Sequence, residues 1–241
     1  MSNCSVLSRL IIVVLYTLSF SIWSVDHQKR YYGQFHQDEY LNKEVFRNMR
    51  DGFFIDIGAH DGVSISNTYF FEKYLGWQGV CIEPIPEVFA RLVKNRTCIC
   101  VNGCISNITG REAFLRVSGY PEMLSGLLHS FDPRHLNRIK NEIAHYGGKS
   151  EVIEVDSYRL DDLLKQYKIA RRIDYLNIDT EGSELKILQA IDFDSNDIFT
   201  ISVENNYNDS RIYNLLASKG YRLMMRLDVD EIYQKISGKS K

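Results

Sequence analysis

The sequence has almost no excess of charge of either sign: 29 basic and 31 acidic side chains leave a net charge of −2. A strongly basic surface is the usual mark of a nucleic-acid-binding protein, so this composition gives no reason to expect a nucleic-acid partner. Internal repeats and low-complexity tracts are also absent. The hydrophobic content of 44% is ordinary for a globular protein. We therefore expect one domain of catalytic size behind an N-terminal tail.

The five cysteines lack the paired spacing of a metal site. Cys81 lies in one predicted strand, and Cys98, Cys100 and Cys104 cluster around the next. Cys98 and Cys100 fall on the same side of that strand and are too far apart for an unstrained disulfide. A bridge from Cys81 to one of them is possible if the two strands are neighbours. We expect instead that the thiols are reduced and buried as small hydrophobic groups.

The longest uncharged stretch lies near the N terminus. Residues 10–23 carry no charged side chain and suit the core of a secretory signal. The run 5–25, interrupted only by Arg9, is marginal for a membrane span. We therefore expect residues 1–25 to be a signal peptide or an N-terminal membrane anchor, with membrane association through residues 5–25 and a location at a membrane or in the secretory pathway. The flanking charges indicate no orientation.

Residues 26–50 are predicted to be a linker with one short helix over 38–49. From residue 51 to 241, apolar runs alternate with helical spacing, which predicts an α/β domain: a mostly parallel sheet covered by helices on both faces. Two antiparallel strands at the chain end should form an edge hairpin. The predicted strands are Phe53–Ile57, Gly79–Glu83, Cys98–Val101, Ile173–Ile178, Ile198–Val203, Tyr221–Leu227 and Glu231–Lys235, and the predicted helices are Ser64–Leu75, Glu87–Asn95, Leu160–Gln166, Ser183–Ile191 and Asp209–Lys219. Arg111–Val117 and Glu151–Val155 should be extended, and the insertion between them shows helical spacing at Leu136, Ile139 and Ile143.

Four predicted strands end in an acidic residue, and in a doubly wound sheet such ends share one rim. These residues are Asp56, Glu83, Asp179 and Glu204. The glycines after the first strand do not form the dinucleotide fingerprint, because His60 occupies the second glycine position and would crowd a pyrophosphate. Acidic strand ends suit a cationic sulfonium nucleoside without phosphates, with Glu83 accepting hydrogen bonds from a ribose diol.

The run Phe54-Ile55-Asp56-Ile57-Gly58-Ala59-His60-Asp61-Gly62 and the run Asp179-Thr180-Glu181-Gly182-Ser183-Glu184 together resemble the FkbM-type family of S-adenosylmethionine-dependent methyltransferases. The resemblance covers roughly residues 31–235 and includes segments 34–35, 38–41, 52–62, 66–68, 76–79, 81–84, 125–126, 132–135, 160–164, 173–185 and 201–204. It implies a Rossmann-like methyltransferase fold and O-methylation of a hydroxyl on a sugar or other small acceptor. The expected contacts to S-adenosylmethionine are Asp56, Gly58, His60 and Gly62 at the methionine end, Glu83 at the ribose, Cys104 and Ile105 beside the adenine, and Asn67 of the matching 66–68 segment.

A hydroxyl acceptor also needs a group that takes its proton as the new bond forms. The candidates are Asp179 and His135, followed by Glu181. A divalent metal bound by Asp179, Glu181 and Glu204 is an alternative that we do not favour, because carboxylates alone do not fix a ligand count. N-methylation is a further alternative. A different class of function is a membrane-tethered, non-catalytic protein that keeps this fold for binding or trafficking.

Overall fold

A computed structural model describes residues 30–169 and 172–236. Its strands are β1 (Phe53–Ile57), β2 (Gln78–Glu83), β3 (Ile99–Asn102), β4 (Cys104–Ile105), β5 (Gly110–Ser118), β6 (Gly126–Leu127), β7 (Lys149–Tyr158), β8 (Ile173–Ile178), β9 (Ile198–Glu204), β10 (Tyr221–Leu227) and β11 (Asp230–Lys235). Its helices are α1 (Gln37–Tyr40), continued by a π-helical segment (Leu41–Phe46), α2 (Tyr69–Leu75), α3 (Pro86–Asn95), α4 (Pro133–Tyr146), α5 (Leu160–Gln166), α6 (Glu184–Ala190) and α7 (Ser210–Ser218). Two short 3-10 turns span Glu122–Leu124 and Leu128–Ser130.

The larger sheet has seven strands in the order β10-β11-β9-β8-β1-β2-β3. The five strands from β9 to β3 are parallel, and β11 and β10 complete one edge in antiparallel pairing. All five residues of β1 are buried because helices cover both faces of the sheet. This arrangement confirms the predicted Rossmann-like sheet with its antiparallel edge hairpin.

Successive side chains of β1 enter two different cores because they point to opposite faces of the sheet. Ile55 packs with Ile187 of α6 in a core that also includes residues of α5 and α7. Phe54 packs with Phe71 of α2 and Leu92 of α3 on the other face. Each fully buried side chain of this kind contributes about 1.5–3 kcal/mol relative to an exposed one. The two cores therefore fix the orientation of the strand that carries Asp56.

A second, four-stranded sheet has the order β4-β7-β5-β6 and was not predicted as a separate layer. Its main contact is the antiparallel pairing of β5 with β7, from Gly110 opposite Ser157 to Ser118 opposite Lys149. The predicted extended segments were therefore correct but shorter than the strands they belong to. The insertion between these strands contains α4, in agreement with the helical spacing in the sequence.

Helix α2 begins at Tyr69, five residues later than predicted. The Asp61 carboxylate accepts hydrogen bonds from the backbone N–H groups of Val63 and Ser64 at 2.9 and 2.8 Å, which forms a local turn instead of helix. Ile65 then adopts a positive φ of 50°, which a helix does not allow. The prediction was wrong here because side-chain hydrogen bonding competes with the helical pattern.

The four described cysteines, Cys81, Cys98, Cys100 and Cys104, are free thiols. Strands β2 and β3 are neighbours, as a bridge would require, and the Cys81 and Cys98 sulfurs lie 3.5 Å apart in a hydrogen bond. Cys81 and Cys104 are buried as predicted, whereas Cys98 and Cys100 are only half-buried against the core.

The predicted helix over 38–49 corresponds to α1 and the π-helical segment that follows it. Gln37 donates a hydrogen bond to the Asp230 carboxylate of β11, which attaches this helix to the last strand of the chain. The predicted signal or anchor segment, residues 1–25, lies outside the described residues. Within residues 30–169 and 172–236, none of the helices combines the length and apolar character needed to cross a bilayer.

Candidate functional site

The strand order of the large sheet reverses at β1, where the chain runs outward through β2 and β3 and then returns to β8 on the other side. Such a switch point leaves a crevice beyond the carboxyl ends of the strands. A cavity of about 320 Å³ lies there, within the range of roughly 300–1,000 Å³ typical of small-molecule sites. The four predicted strand-end acids, Asp56, Glu83, Asp179 and Glu204, all line it.

Glu83 ends β2 and is only 5% exposed. Its Oε1 accepts a hydrogen bond from the Ile85 N–H at 2.8 Å, and its Oε2 accepts one from the His60 N–H at 3.1 Å. These two donors fix the plane of the carboxylate and leave its other lone pairs for a ligand. Burial raises the pKa of Glu83 to about 7, because desolvation outweighs the two hydrogen bonds.

Asp56 belongs to a buried polar network that holds the floor of the cavity. Its carboxylate accepts hydrogen bonds from the Thr68 hydroxyl at 2.5 Å and from the Asn177 amide at 2.8 Å. The Arg96 guanidinium lies 4.0 Å from the same carboxylate and 2.5 Å from that of Glu72. Burial raises the pKa of Asp56 even though Arg96 opposes the change. Because protein groups already engage both Asp56 oxygens, the residue orders the cavity floor as well as lining it.

The two glycines of the first motif have different surroundings. A side chain at Gly58 would place its Cβ 1.7 Å from the backbone oxygen of Asp179, and φ at Gly58 is +89°. Only glycine therefore allows the loops after β1 and β8 to touch. Gly62, with φ +81°, faces Leu92 of α3 and Arg96 just after that helix, and it is not part of the cavity lining. The helix packed against Gly62 is thus α3 and not the helix that follows it in sequence.

His60, which replaces a fingerprint glycine, connects the cavity wall to the segment between β5 and β7 (residues 119–148). We call this segment the cover. Nε2 of His60 lies 2.9 Å from Oε1 of Glu122 in a 3-10 turn, and Arg91 donates to the same oxygen at 2.5 Å. His60 also has a positive φ of 49°. Its backbone amide points to Glu83 while its side chain holds the insertion over the cavity.

Three other residues predicted to contact the cofactor line the cavity: Asn67, Cys104 and Ile105. Asn67 donates from its amide nitrogen to Asn177 at 3.2 Å, whereas its buried Oδ1 has no hydrogen-bond partner. Burial raises the pKa of the Cys104 thiol to about 12, so the thiol is neutral and forms part of an apolar wall. Further apolar residues on this wall are Ile85, Phe114, Leu124 and Leu127.

Asp179, Glu181 and Glu204 form a carboxylate cluster at the opposite part of the lining. One oxygen from each of the three lies within 4.8 Å of the others. Burial, reinforced by repulsion from neighbouring carboxylates, raises the pKa values of Asp179 and Glu204 well above their ordinary range and that of Glu181 to about 8. Glu184 has a different role: it accepts hydrogen bonds from the Thr180 and Gly182 N–H groups at the start of α6.

His135 does not line the cavity but lies behind Glu181. Its Nδ1 is 3.4 Å from Oε2 of Glu181, its Nε2 is 3.0 Å from the Leu124 carbonyl, and its ring stacks on Phe131. Through Glu181, His135 is connected to the cavity without lining it. Arg138, on the same helix, does line the cavity and approaches Glu181 to 4.0 Å.

Sequence reasoning did not select several other lining residues. Glu122 and Arg138 lie in the insertion, outside its segments 125–126 and 132–135 that match the family. Glu204 was expected at the rim as the acidic end of a strand, and it lines the cavity, although its only assigned role was that of an alternative metal ligand. Gln34 and Phe35 form the matching segment 34–35 and reach the cavity from before α1, but the resemblance assigned them no role there.

Fold and site together define a class of protein: an α/β protein with a nucleoside-sized cavity at its switch point. The family model of the methyltransferase FkbM domain matches residues 56–223 of the sequence. The chain belongs to this methyltransferase family.

Two curated relatives align over most of the chain. Methyltransferase 1 of Beauveria bassiana (strain ARSEF 2860) is 25% identical over 202 residues, covering 76% of this chain and 80% of the relative. Methyltransferase sdnD of Sordaria araneosa is 23% identical over 218 residues, covering 76% of this chain and 82% of the relative.

Among solved structures, the FkbM methyltransferase of Methylobacillus flagellatus KT is 14% identical and aligns with a TM-score of 0.42. The alignment covers 78% of this chain and 44% of that chain, so this chain matches less than half of that protein's length. A putative rRNA-methylase of Clostridium thermocellum is 11% identical and aligns with a TM-score of 0.43. The alignment covers 87% of this chain and 99% of that chain.

Proposed function

We propose that this protein is an S-adenosylmethionine-dependent methyltransferase that acts on a hydroxyl group of a sugar or other small acceptor. The observation that carries the proposal is the shared cavity. It has a fixed carboxylate acceptor, Glu83, at one part of its lining and a cluster of carboxylates around Asp179 at another. Such a site can hold a nucleoside by its diol and present acidic groups to a second molecule.

The residues present fit the cofactor. Glu83 is oriented by two backbone donors and accepts hydrogen bonds from a ribose diol. The neutral Cys104 thiol and Ile105 offer an apolar surface for an adenine ring. The unpartnered Oδ1 of Asn67 is a buried acceptor that suits the ammonium group of a methionine moiety. Gly58 lines the cavity, and its lack of a side chain lets the loops after β1 and β8 meet there.

When bound, S-adenosylmethionine supplies a methyl group that its positive sulfonium already activates. The protein must then align the acceptor and provide a place for its proton. Asp179 lines the cavity, and the neighbouring carboxylates increase its affinity for a proton. We assign proton acceptance to Asp179, with Glu181 beside it. His135 is a positioning residue, because it contacts Glu181 from behind the cavity wall.

The cover, which is the segment between β5 and β7, lies over part of this cavity. Leu124 and Leu127 line the cavity from the cover, and the Glu122 hydrogen bond to His60 holds their segment against the sheet. We expect the acceptor to enter beside Arg138, which lines the same cavity from α4.

The first experiment measures binding of S-adenosylhomocysteine and S-adenosylmethionine to the full chain by calorimetry. We expect binding of both compounds, and we expect labelled methyl transfer to at least one member of a panel of sugars and small hydroxylated compounds. Asp179→Asn should retain cofactor binding and lose most turnover, whereas the exposed-site control Glu154→Gln should keep both. A folded protein that binds neither compound would favour the non-catalytic alternative. Undiminished turnover by Asp179→Asn would remove Asp179 from the mechanism, and transfer to amines alone would replace O-methylation with N-methylation.

A further inference from the structure

We propose that Cys98 is an oxidant-reactive thiol and that peroxide converts Cys98 and Cys81 into a disulfide, which links β2 to the residue just before β3. The inference goes beyond the proposed function and does not depend on it, because neither thiol lines the cavity. Both side chains are free thiols in the structure. The separation of the two sulfurs, the different environments of the two thiols and the position of Cys98 at one edge of the sheet carry the inference.

The two sulfurs are already close to bonding distance. They lie 3.5 Å apart, and a disulfide needs about 2.05 Å, so they must approach by roughly 1.5 Å. Both side chains pack against the same core on one face of the large sheet. Strands β2 and β3 are paired from Val80 opposite Ile99, and Cys98 precedes that pair. A small movement at Cys98 can therefore close the gap without a change in strand register.

Cys98 has the environment of a nucleophilic thiol. The thiols of Cys100 and then Cys81 stabilise its ionised form by hydrogen bonding and lower its pKa well below the ordinary value of 9.0. The positive charge of Arg96 acts in the same direction, against burial and the negative charge of Glu72. Because the thiolate and not the thiol reacts with oxidants, Cys98 should react first.

Cys81 suits the second role, that of the partner which completes the bond. It is 0% exposed, and burial together with its hydrogen bond to Cys98 raises its pKa, so it keeps its proton. Its sulfur faces the Cys98 sulfur. When Cys98 is neutral, the Cys100 thiol instead donates to the Cys98 carbonyl oxygen at 3.6 Å. Cys81 is therefore the better placed of the two neighbouring thiols.

The oxidant must be small. Cys98 is half-buried, and Cys81 has no exposed surface. Strand β3 is the last strand at one edge of the seven-stranded sheet, so solvent reaches Cys98 from that side. Hydrogen peroxide meets this size limit.

The reaction has two steps. The Cys98 thiolate attacks one oxygen of hydrogen peroxide, so that an S–O bond forms, the O–O bond breaks and hydroxide leaves; the product is a sulfenic acid. The Cys81 sulfur then attacks the Cys98 sulfur, so that the S–S bond forms and the S–O bond breaks. The hydroxyl group leaves with the Cys81 proton as water. One peroxide is reduced by two electrons, and the two cysteine sulfurs supply them.

The new bond would change the buried network below the cavity. Arg96 lies beside the carboxylates of Glu72 and Asp56, and a Cys98 thiolate is a further negative charge near it. A disulfide is neutral, so oxidation removes this charge and leaves Arg96 to the two carboxylates. The oxidation state of Cys98 is thereby connected to the residue that faces Asp56 in the cavity floor.

The experiment treats the reduced full chain with hydrogen peroxide, blocks the remaining thiols with N-ethylmaleimide and maps the tryptic peptides by mass spectrometry. Trypsin places Cys81 in peptide 74–91 and Cys98 in peptide 97–111. We expect these two peptides to be linked, with a mass two hydrogen atoms below their sum, and to separate on reduction. The same treatment in denaturant should lose the preference for this pair. An equal yield in denaturant would count against the folded geometry as the cause.

Single substitutions identify the linked residue, because peptide 97–111 also contains Cys100 and Cys104. Cys98→Ser should abolish the link, and Cys81→Ser should stop the reaction at a Cys98 sulfenic acid that dimedone traps. Cys100→Ser is the matched control and should keep the link, since a serine hydroxyl can also donate a hydrogen bond to the thiolate. In the wild type at pH 7, iodoacetamide should alkylate Cys98 at least about tenfold faster than Cys100.

The inference is overturned if the link persists in Cys98→Ser or disappears in Cys100→Ser. The wild type alone also decides the question, whether or not the variants fold. A wild-type chain that stays fully reduced under peroxide, or that links Cys98 to a cysteine other than Cys81, would overturn the inference.

Discussion

Substitution of Glu83 should weaken the binding of S-adenosylhomocysteine by an amount that follows from its hydrogen bonds. Glu83→Gln replaces a charged acceptor, and a hydrogen bond to a charged group contributes about 1.5–3 kcal/mol against about 0.5–1.5 kcal/mol for a neutral pair. Both oxygens of Glu83 also accept backbone N–H groups, so the amide NH₂ of glutamine must face one of those donors. We expect S-adenosylhomocysteine to bind about 10- to 100-fold more weakly, or about 1.4–2.8 kcal/mol.

The pH dependence of binding tests the same residue without relying on a single variant. With a pKa of about 7, the ionised fraction of Glu83 in the ligand-free protein falls from about nine tenths at pH 8 to about one tenth at pH 6. If the ionised form binds, the affinity measured by calorimetry should fall by up to about tenfold between pH 8 and pH 6. Glu83→Gln should lose this part of the dependence, and the exposed control Glu154→Gln should keep it. A wild-type affinity that is constant over this range would refute the reasoning.

Whereas the affinity for the ligand should rise with pH, the stability of the ligand-free protein should fall with pH. The folded protein binds the Glu83 proton with a pKa of about 7, above the ordinary value of 4.5. The stabilisation from this proton is therefore fully present below about pH 4.5 and is lost as the pH rises through about 7, amounting to about 3 kcal/mol. Chemical denaturation at a series of pH values should show this decline in the wild type and a smaller one in Glu83→Gln. Equal slopes would contradict the assignment.

Two further substitutions test the scaffold. Gly58→Ala should abolish cofactor binding and strongly lower the melting temperature, because the new Cβ would overlap a backbone carbonyl. The control is Gly220→Ala, which has a similar φ of +82° and nothing within 4 Å of the new Cβ, and it should lower the free energy of unfolding by only about 1 kcal/mol. Comparable melting temperatures for the two variants would show that the close approach after β1 is unimportant. Arg96→Met leaves two buried carboxylates without their cation and should cost about 3–5 kcal/mol, or roughly 6–20 °C in melting temperature. The exposed Arg211→Met should cost under about 1 kcal/mol, and a similarly small loss in Arg96→Met would refute the role of the buried network.

The large sheet was predictable because its central strands are buried on both faces. Phe53–Ile57 and Ile173–Ile178 are short, mostly apolar runs, and the structure has both strands with the predicted bounds. The acidic residues that end four strands were expected at one rim, and they line one cavity. A parallel sheet places strand ends together whatever the loops do, so this part of the site follows from the strand pattern.

The cover was not predictable for a physical reason. Strand β7 is mostly exposed along its first half, so its pattern does not identify β5, roughly 40 residues earlier, as its partner. The position of His135 has a similar origin. Its ring stacks on Phe131 and bonds to Leu124, and only tertiary packing fixes these contacts. The delayed start of α2 depends on the side chain of Asp61, which competes with the helix for backbone donors.

The hydrogen bond from Gln37 to Asp230 joins residues 193 positions apart. Gln34 and Phe35, just before Gln37, line the same cavity as Asp228 and Val229. At a synthesis rate of about 5–20 residues per second, the early segment waits roughly 10–40 s on the ribosome before its partner is made. A nascent chain thus cannot close its ligand chamber until residues 228–230 have been made, and a product terminated before them would leave that chamber open on one side.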